Sequence, residues 1–252
     1  MPPAETQAVV EFALEAGYRH IDTAAAYGNE EGVGAALAVS GLPREEYFVT
    51  SKLWGPQPDA HATVAAFEAS LERLGLDHVD LYLLHWPVAG GDGPAETWLT
   101  LEEIHREEAA RTIGVTNFRV EDLALLGREA STRPTVNQVE LHPRLQQSEL
   151  RAWHAAHDIV TGAWSPLAQG RVLADPAIAR IAEGHGRTPA QAVLRWHLQL
   201  GNLVIPKSAT PDRIRENADV FDFELSGEEM AAIAALDRGS PARPARATIA
   251  TP

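Results

Sequence analysis

"YRHIDTAAAYGNE", residues 18–30, decides the fold. A strand-like run ends in a carboxylate, Asp22, and five residues later comes a phenol, Tyr27, where the chain must be leaving a strand for a loop. Outward from it, short β-branched or aromatic runs recur: "YFVTSK" (47–52), "VDLYLLH" (79–85), "RTIGVT" (111–116), "TVNQVE" (135–140), "IVTGAW" (159–164) and "NLVIP" (202–206). Amphipathic segments alternate with them. "ATVAAFEASLERLG" (62–75) places Val64, Phe67, Leu71 and Leu74 at helical spacing. "TPAQAVLRWHLQLG" (188–201) offers Thr188 as N-cap, Pro189 as the first helical residue and Gly201 as a stop. Strict β/α alternation predicts a parallel sheet. Its repetition without a composition break predicts one domain over 1–252, a (β/α)8 TIM-type barrel rather than an open doubly wound sheet, with an irregular tail over 239–252.

This count is one strand short. The first helical pattern, "AETQAVVEFALEAG" (4–17), has no strand before it. Three accounts fit: a start upstream of Met1, a truncated variant, or another segment in the gap, for which the weakly alternating "ARATIAT" (245–251) is the candidate.

Composition narrows the function. Of 252 residues, 45% are hydrophobic, enough for a sizeable core, and no apolar run is long enough to span a membrane. The N-terminus lacks the pattern of a signal peptide. With no cysteine, disulfides, thiol catalysis and thiolate metal sites are excluded, and a cytoplasmic location is expected. The formal charge of −14 speaks against non-specific nucleic-acid binding. The histidines show no metal-ligand spacing, and a monomer is expected.

Barrel active sites lie at the C-terminal ends of the strands. Those ends carry, in order, Asp22, Lys52 in "VTSKLW" and His85 in "YLLHWP", with Tyr27 on the loop after Asp22. Singly, each has an ordinary reading: a strand-end Asp caps turns, a Lys faces solvent, a His beside Trp86 and Pro87 packs. Together they end three consecutive strands of one barrel, and such ends converge on one mouth. Their chemistry is coherent. A buried Asp22 needs a partner, and Lys52 is the natural one. The Lys52 ammonium facing Tyr27 is expected to lower the phenol pKa and make it a general acid toward a carbonyl oxygen. His85 can orient that oxygen or share in the proton path.

The motifs "GYRHIDTAAAYGNE", "DLYLLHWP", "IGVTNF", "NQVELHP" and "IPKSATPDRIREN" stand in order along the chain, and from about residue 5 to about residue 237 it resembles the aldo-keto reductase family. "TPAQAVLRWHLQ" and "NADVFDFELS" resemble most the bacterial 2,5-diketo-D-gluconate reductases. The resemblance implies reduction of a small aldehyde or ketone, a diketo sugar acid among the candidates, with NADPH as hydride donor and Asp22, Tyr27, Lys52 and His85 as catalytic tetrad. A second class stays open: a barrel that binds nucleotide without catalysis, as a sensor or subunit, or a truncated inactive variant.

No Rossmann, Walker or nucleophile-elbow glycine motif is present. The resemblance instead implies that Thr116, Asn117 and Gln138 hold the nicotinamide carboxamide, Thr116 standing where serine is usual. It implies that Trp164 stacks on the nicotinamide, a tryptophan where many members have tyrosine. Ser165, Leu167 and Gln169 would line the pyrophosphate. Lys207, Ser208, Thr210 and Arg213 would grip the adenosine 2′-phosphate, and Glu216 and Asn217 would contact adenine. Two cations, hydroxyls and a helix start after the last strand form an anion site on physical grounds as well. Trp54 and Trp86, close behind Lys52 and His85, are candidate walls of an apolar substrate pocket.

Overall fold

Seven short strands, each followed by at least one helix, make up a computed structural model that describes residues 1–55, 57–87 and 95–239. The strands run in sequence order, β1-β2-β3-β4-β5-β6-β7, the arrangement of a (β/α) barrel-type fold. The chain divides into two compact units, Met1–Asn137 and Gln138–Pro252.

The first unit holds α1 (Pro3–Glu15), β1 (His20–Asp22), α2 (Glu30–Val39), β2 (Phe48–Leu53), α3 (Ala60–Leu74), β3 (Val79–Leu84), α4 (Ala95–Arg106), β4 (Ala110–Thr116) and α5 (Val120–Leu126). β5 (Val136–Glu140) crosses the boundary into the second unit. The second unit continues with α6 (Ser148–Ala156), β6 (Val160–Trp164), α7 (Pro176–Gly184), α8 (Pro189–Gln199), β7 (Leu203–Ile205), α9 (Pro211–Ala218) and α10 (Gly227–Ala234). No strand precedes α1 among the described residues, as the strand count predicts. The segment 245–251 lies outside the described residues, as does the tail from Ser240 onward.

The strands form because their residues suit a sheet buried on both faces. Every residue of β3 is buried, and its run VDLYLL is continuous rather than alternating, as parallel strands covered by helices require. Register then aims the site. Asp22 pairs with Thr50, Lys52 with Leu83, and Leu84 with Val115, all parallel. Lys52 stands two residues beyond the partner of Asp22, and His85 two beyond the partner of Lys52. A two-residue step keeps side chains on one face, so the stagger carries Asp22, Lys52 and His85 along a single side of the sheet. Gly114 on β4 shows how close the strands pack there. A Cβ at that position would lie 2.6 Å from the Val136 carbonyl oxygen and 2.8 Å from a Leu83 methyl.

The helices follow their caps. α8 begins as predicted, with Thr188 accepting from the Gln191 amide, Gln191 returning to the Thr188 amide, and Pro189 at the first position. On α3 the buried face is Thr63, Phe67, Ser70 and Leu74, while Val64 and Leu71 are only half-buried. The predicted stripe is thus turned by one residue. Small hydroxyl residues take the tight positions: Ser70 is fully buried and accepts from Arg73 at 3.2 Å.

Candidate active site

β1 and β2 deliver the central pair. Lys52 has no side-chain surface open to solvent and donates to Asp22 Oδ1 and, at 2.9 Å, to the Thr23 carbonyl. A cation this deeply buried is tolerable only because a carboxylate and a carbonyl receive its protons. Thr23 is itself fixed: its hydroxyl donates to Asn29 Oδ1 at 2.9 Å, and Asn29 donates to Thr6 at 3.3 Å. This tie closes the loop from β1 to α2, on which a short 3-10 turn (Ala25–Tyr27) carries the phenol. Gly28 ends that turn at φ 62°, a left-handed conformation that favours glycine.

Tyr27 lies over this pair. The Lys52 ammonium is 5.2 Å from the centre of its ring. The phenol pKa is raised, not lowered as the sequence predicts. Desolvation by the surrounding protein outweighs the Lys52 cation, which does pull it down, and Asp22 adds to the rise. At neutral pH the phenol therefore holds its proton.

His85, buried at the end of β3, meets the Tyr27 ring edge-on at 5.7 Å and the Trp54 ring at 5.3 Å. Burial, reinforced by Lys52, lowers its pKa to about 4, so the imidazole is neutral at physiological pH. Its Nδ1 is buried with no hydrogen-bond partner among the described residues. The neutral ring has one N–H to offer and one lone pair to receive, and so can orient a polar ligand without adding charge. Its main chain is anchored: the Thr116 hydroxyl donates to the His85 carbonyl, and Asn117 Nδ2 donates to the same oxygen at 3.3 Å. Asn117 is at φ 62°, and the buried Asn137 side chain donates to the Phe118 carbonyl at 2.8 Å to hold the turn.

Asp22, Tyr27, Lys52, His85 and Trp54 thus come together, with Thr116 and Asn117 beside His85. Trp54 is 38% exposed and can wall a pocket. Trp86 is half-buried and makes no ring contact with the tetrad among the described residues.

In the second unit, Gln138 is buried on β5 and packs against Gly162 of β6. Trp164 closes β6 half-buried. The loop after it is conformationally unusual: Ser165, Ala168 and Gln169 have φ of 51°, 48° and 57°. Left-handed non-glycine residues are uncommon and strained, and such strain clusters at functional sites. Leu167 is half-buried, and Gln169 is exposed.

After β7, Lys207 and Arg213 are exposed and form no ion pair among the described residues. Thr210 is the N-cap of α9 and makes no side-chain cap bond, and its amide is received by Ser208 Oγ at 3.2 Å. Unpaired cations beside an uncapped helix start, in a chain of net charge −14, suit a phosphate. Glu216 accepts from the Thr188 hydroxyl at 2.5 Å. Asn217 is buried.

A parallel (β/α) sheet with an Asp–Lys pair under a tyrosine and a neutral histidine at its strand ends defines a class of barrel oxidoreductases. Residues 1–238 match the model of the Aldo/keto reductase family, and the chain belongs to this family. It is 54% identical to an aldo-keto reductase of Mycolicibacterium smegmatis, over 94% of this chain and 86% of that protein. It is 52% identical to methylglyoxal reductase DkgA of Yersinia pestis, over 93% of this chain and 85% of that protein. Among solved structures it resembles a Gox0644 variant in complex with NADPH, at 46% identity and TM-score 0.88, covering 94% of this chain and 86% of the other.

No helix among the described residues is long and apolar enough to cross a membrane, and none of their acidic and histidine side chains cluster as a metal site.

Proposed function

We propose that this chain reduces small aldehydes and ketones with NADPH, Tyr27 giving the proton to the carbonyl oxygen. The observation that carries the reading is the buried Lys52, paired with Asp22 beneath the Tyr27 ring. When bound, the reduced nicotinamide supplies the hydride. The chain's own residues do the rest. Tyr27 arrives protonated at neutral pH, Lys52 stabilises the phenolate it leaves behind, and Asp22 keeps Lys52 in place. Neutral His85 offers a hydrogen bond that orients the substrate oxygen. Trp54 supplies apolar wall.

For the cofactor, Thr116, Asn117 and Gln138 are proposed for the carboxamide and Trp164 for the ring face. The left-handed loop with Ser165, Leu167 and Gln169 takes the diphosphate. Lys207, Ser208, Thr210 and Arg213 take the 2′-phosphate, which favours NADPH over NADH, and Asn217, with Glu216 held by Thr188, borders adenine. The methylglyoxal reductase relative and the NADPH-bound neighbour support the substrate and cofactor classes. Among substrates, small dicarbonyls come first, with 2,5-diketo-D-gluconate as the more elaborate member.

The test is NADPH oxidation by the purified protein with methylglyoxal and with 2,5-diketo-D-gluconate, wild type against Tyr27→Phe. Turnover of neither substrate, or turnover unchanged in the variant, would overturn the reading.

A further inference from the structure

The loop that follows β6 is held from beneath by a histidine that the mechanism does not use. His197, on α8, is completely buried, and its Nε2 lies 3.1 Å from the Pro166 carbonyl oxygen. A carbonyl only accepts, so Nε2 carries the proton. The other ring nitrogen, Nδ1, then accepts from Asn202 Nδ2 at 3.3 Å, and the buried Asn202 returns its own amide to the His197 carbonyl at 3.1 Å. Each partner fixes the next: Asn202 sets the tautomer and ring angle, and His197 sets the position of one carbonyl.

That carbonyl belongs to the residue next to Ser165, in a loop whose φ angles are positive at Ser165, Ala168, Gln169 and Gly170. Such a backbone is strained at its non-glycine residues and persists only where its surroundings over-determine it. Within the loop, the Ala168 amide reaches the Ser165 carbonyl and the Gly170 amide the Leu167 carbonyl, both at 2.8 Å. Those bonds close the turn on itself. The His197 bond ties it to the helix behind. A buried polar side chain at a core position of α8 costs free energy unless it is satisfied, and an apolar residue would pack there without that cost. The imidazole pKa is lowered to about 3, chiefly by desolvation, so the ring stays a neutral one-proton donor over the whole working range.

We propose that His197, oriented by Asn202, is a positioning residue for the cofactor: it fixes the Pro166 carbonyl so that the left-handed loop 165–170 is preformed for the dinucleotide's diphosphate. The inference rests on the reading above that this loop meets the diphosphate. Its energetic consequence falls on cofactor binding, because a loop that must be ordered at the moment of binding weakens affinity.

The experiment compares wild type, His197→Met, His197→Gln and Asn202→Ala. Methionine fills the site without a donor, whereas the glutamine amide can reach the Pro166 carbonyl. NADPH affinity is read by titration, KM and kcat by turnover, and loop order by amide hydrogen exchange over 165–173 with and without NADPH. His197→Met should weaken NADPH binding about tenfold or more, the scale of one lost buried hydrogen bond, with kcat at saturating cofactor changed far less. Its loop should exchange faster before NADPH is added, and His197→Gln should recover most of the affinity. Asn202→Ala should shift affinity in the same direction by less, and serves where His197→Met does not fold. Wild-type affinity in both His197→Met and Asn202→Ala, or no recovery in His197→Gln, overturns the positioning role alone if NADPH protects the wild-type loop. If NADPH leaves the wild-type loop unprotected, the diphosphate reading falls and this inference with it.

Discussion

Lys52 reaches Asp22 with no side-chain surface left for water, and the same ammonium sits 5.2 Å from the centre of the Tyr27 ring. In the proposed mechanism one buried cation serves two anions at different moments: the carboxylate always, the phenolate only after proton transfer. Breaking a buried pair by removing one partner costs about 3–5 kcal/mol, because the other charge is stranded. Lys52→Met should lower stability by that order and abolish turnover. Lys52→Met combined with Asp22→Asn should regain much of the stability and none of the activity. Thermal unfolding and NADPH oxidation on the two variants check it. A double variant that is active would show that the cation is structural alone.

Tyr27→Phe removes the proton and leaves the ring. The expected loss in kcat is about 10²-fold or more, the usual range for a general acid. NADPH affinity should hold, since the residues proposed for the cofactor lie elsewhere. A fall in affinity matching the fall in kcat would instead mark Tyr27 as part of the cofactor site.

Arg213→Ala tests the anion site after β7. Arg213 and Lys207 are exposed and free of ion pairs among the described residues, so truncation breaks no ion pair. A charge-assisted bond is worth about 1.5–3 kcal/mol, so the NADPH-over-NADH preference should shrink about tenfold or more. NADH affinity should barely move. Equal losses for both cofactors would place Arg213 away from the 2′-phosphate.

How much of this was legible in the sequence depends on where the polar residues stood. Asp22, Lys52 and His85 were visible because each interrupts an apolar strand at its end, where a period of two fixes the face. Thr188 and Pro189 were visible as cap chemistry. The direction of the Tyr27 shift was not: the cation could be placed from its strand-end position, but desolvation comes from residues brought in by the fold. His197, Asn202 and Asn137 were missed for a related reason. A polar residue on a helix or strand pattern looks solvent-facing until burial is known, and nothing in the "RWHLQLGN" stretch sets His197 apart. The turned stripe of α3 is the converse, small hydroxyl residues being core only where neighbours come close.

Gly162 is a place where one methyl should reach the site. A Cβ there would stand 3.1 Å from Gln138 Cα and Cγ and 3.2 Å from its Cβ. Gly162→Ala should therefore displace Gln138 at an overpacking cost of about 1–3 kcal/mol. If Gln138 holds the nicotinamide carboxamide, the KM for NADPH should rise beyond what the lost stability explains. Gln138→Ala combined with Gly162→Ala removes the Cγ contact and keeps those to Cα and Cβ, so it should recover stability only in part, and affinity not at all. Unfolding and cofactor titration on the three variants separate the two effects.

Acid should destabilise the protein before it touches the carboxylates. His85 and His154 have pKa values lowered to about 4 and His197 to about 3, all chiefly by desolvation, against the ordinary histidine value of about 6.5. Between pH 6.5 and about 4 the unfolded chain binds protons at these three rings and the folded chain does not. Stability then rises with pH across that window and is lost on acidification. Each pKa unit is about 1.4 kcal/mol and a domain of this size loses about 2–4 °C per kcal/mol, so the melting temperature should fall on the order of 10 °C or more from pH 7 to pH 4. Chemistry should tolerate the same range better than stability does: His85 stays neutral to about 4, and Tyr27, with its pKa raised, stays protonated through neutrality and past pH 9. Initial reduction rates at saturating cofactor should thus form a plateau from about pH 5 to pH 9, while the melting temperature slopes beneath it. A rate that falls with a midpoint near neutral pH would mean that His85 titrates in the working enzyme and is not the neutral donor described above.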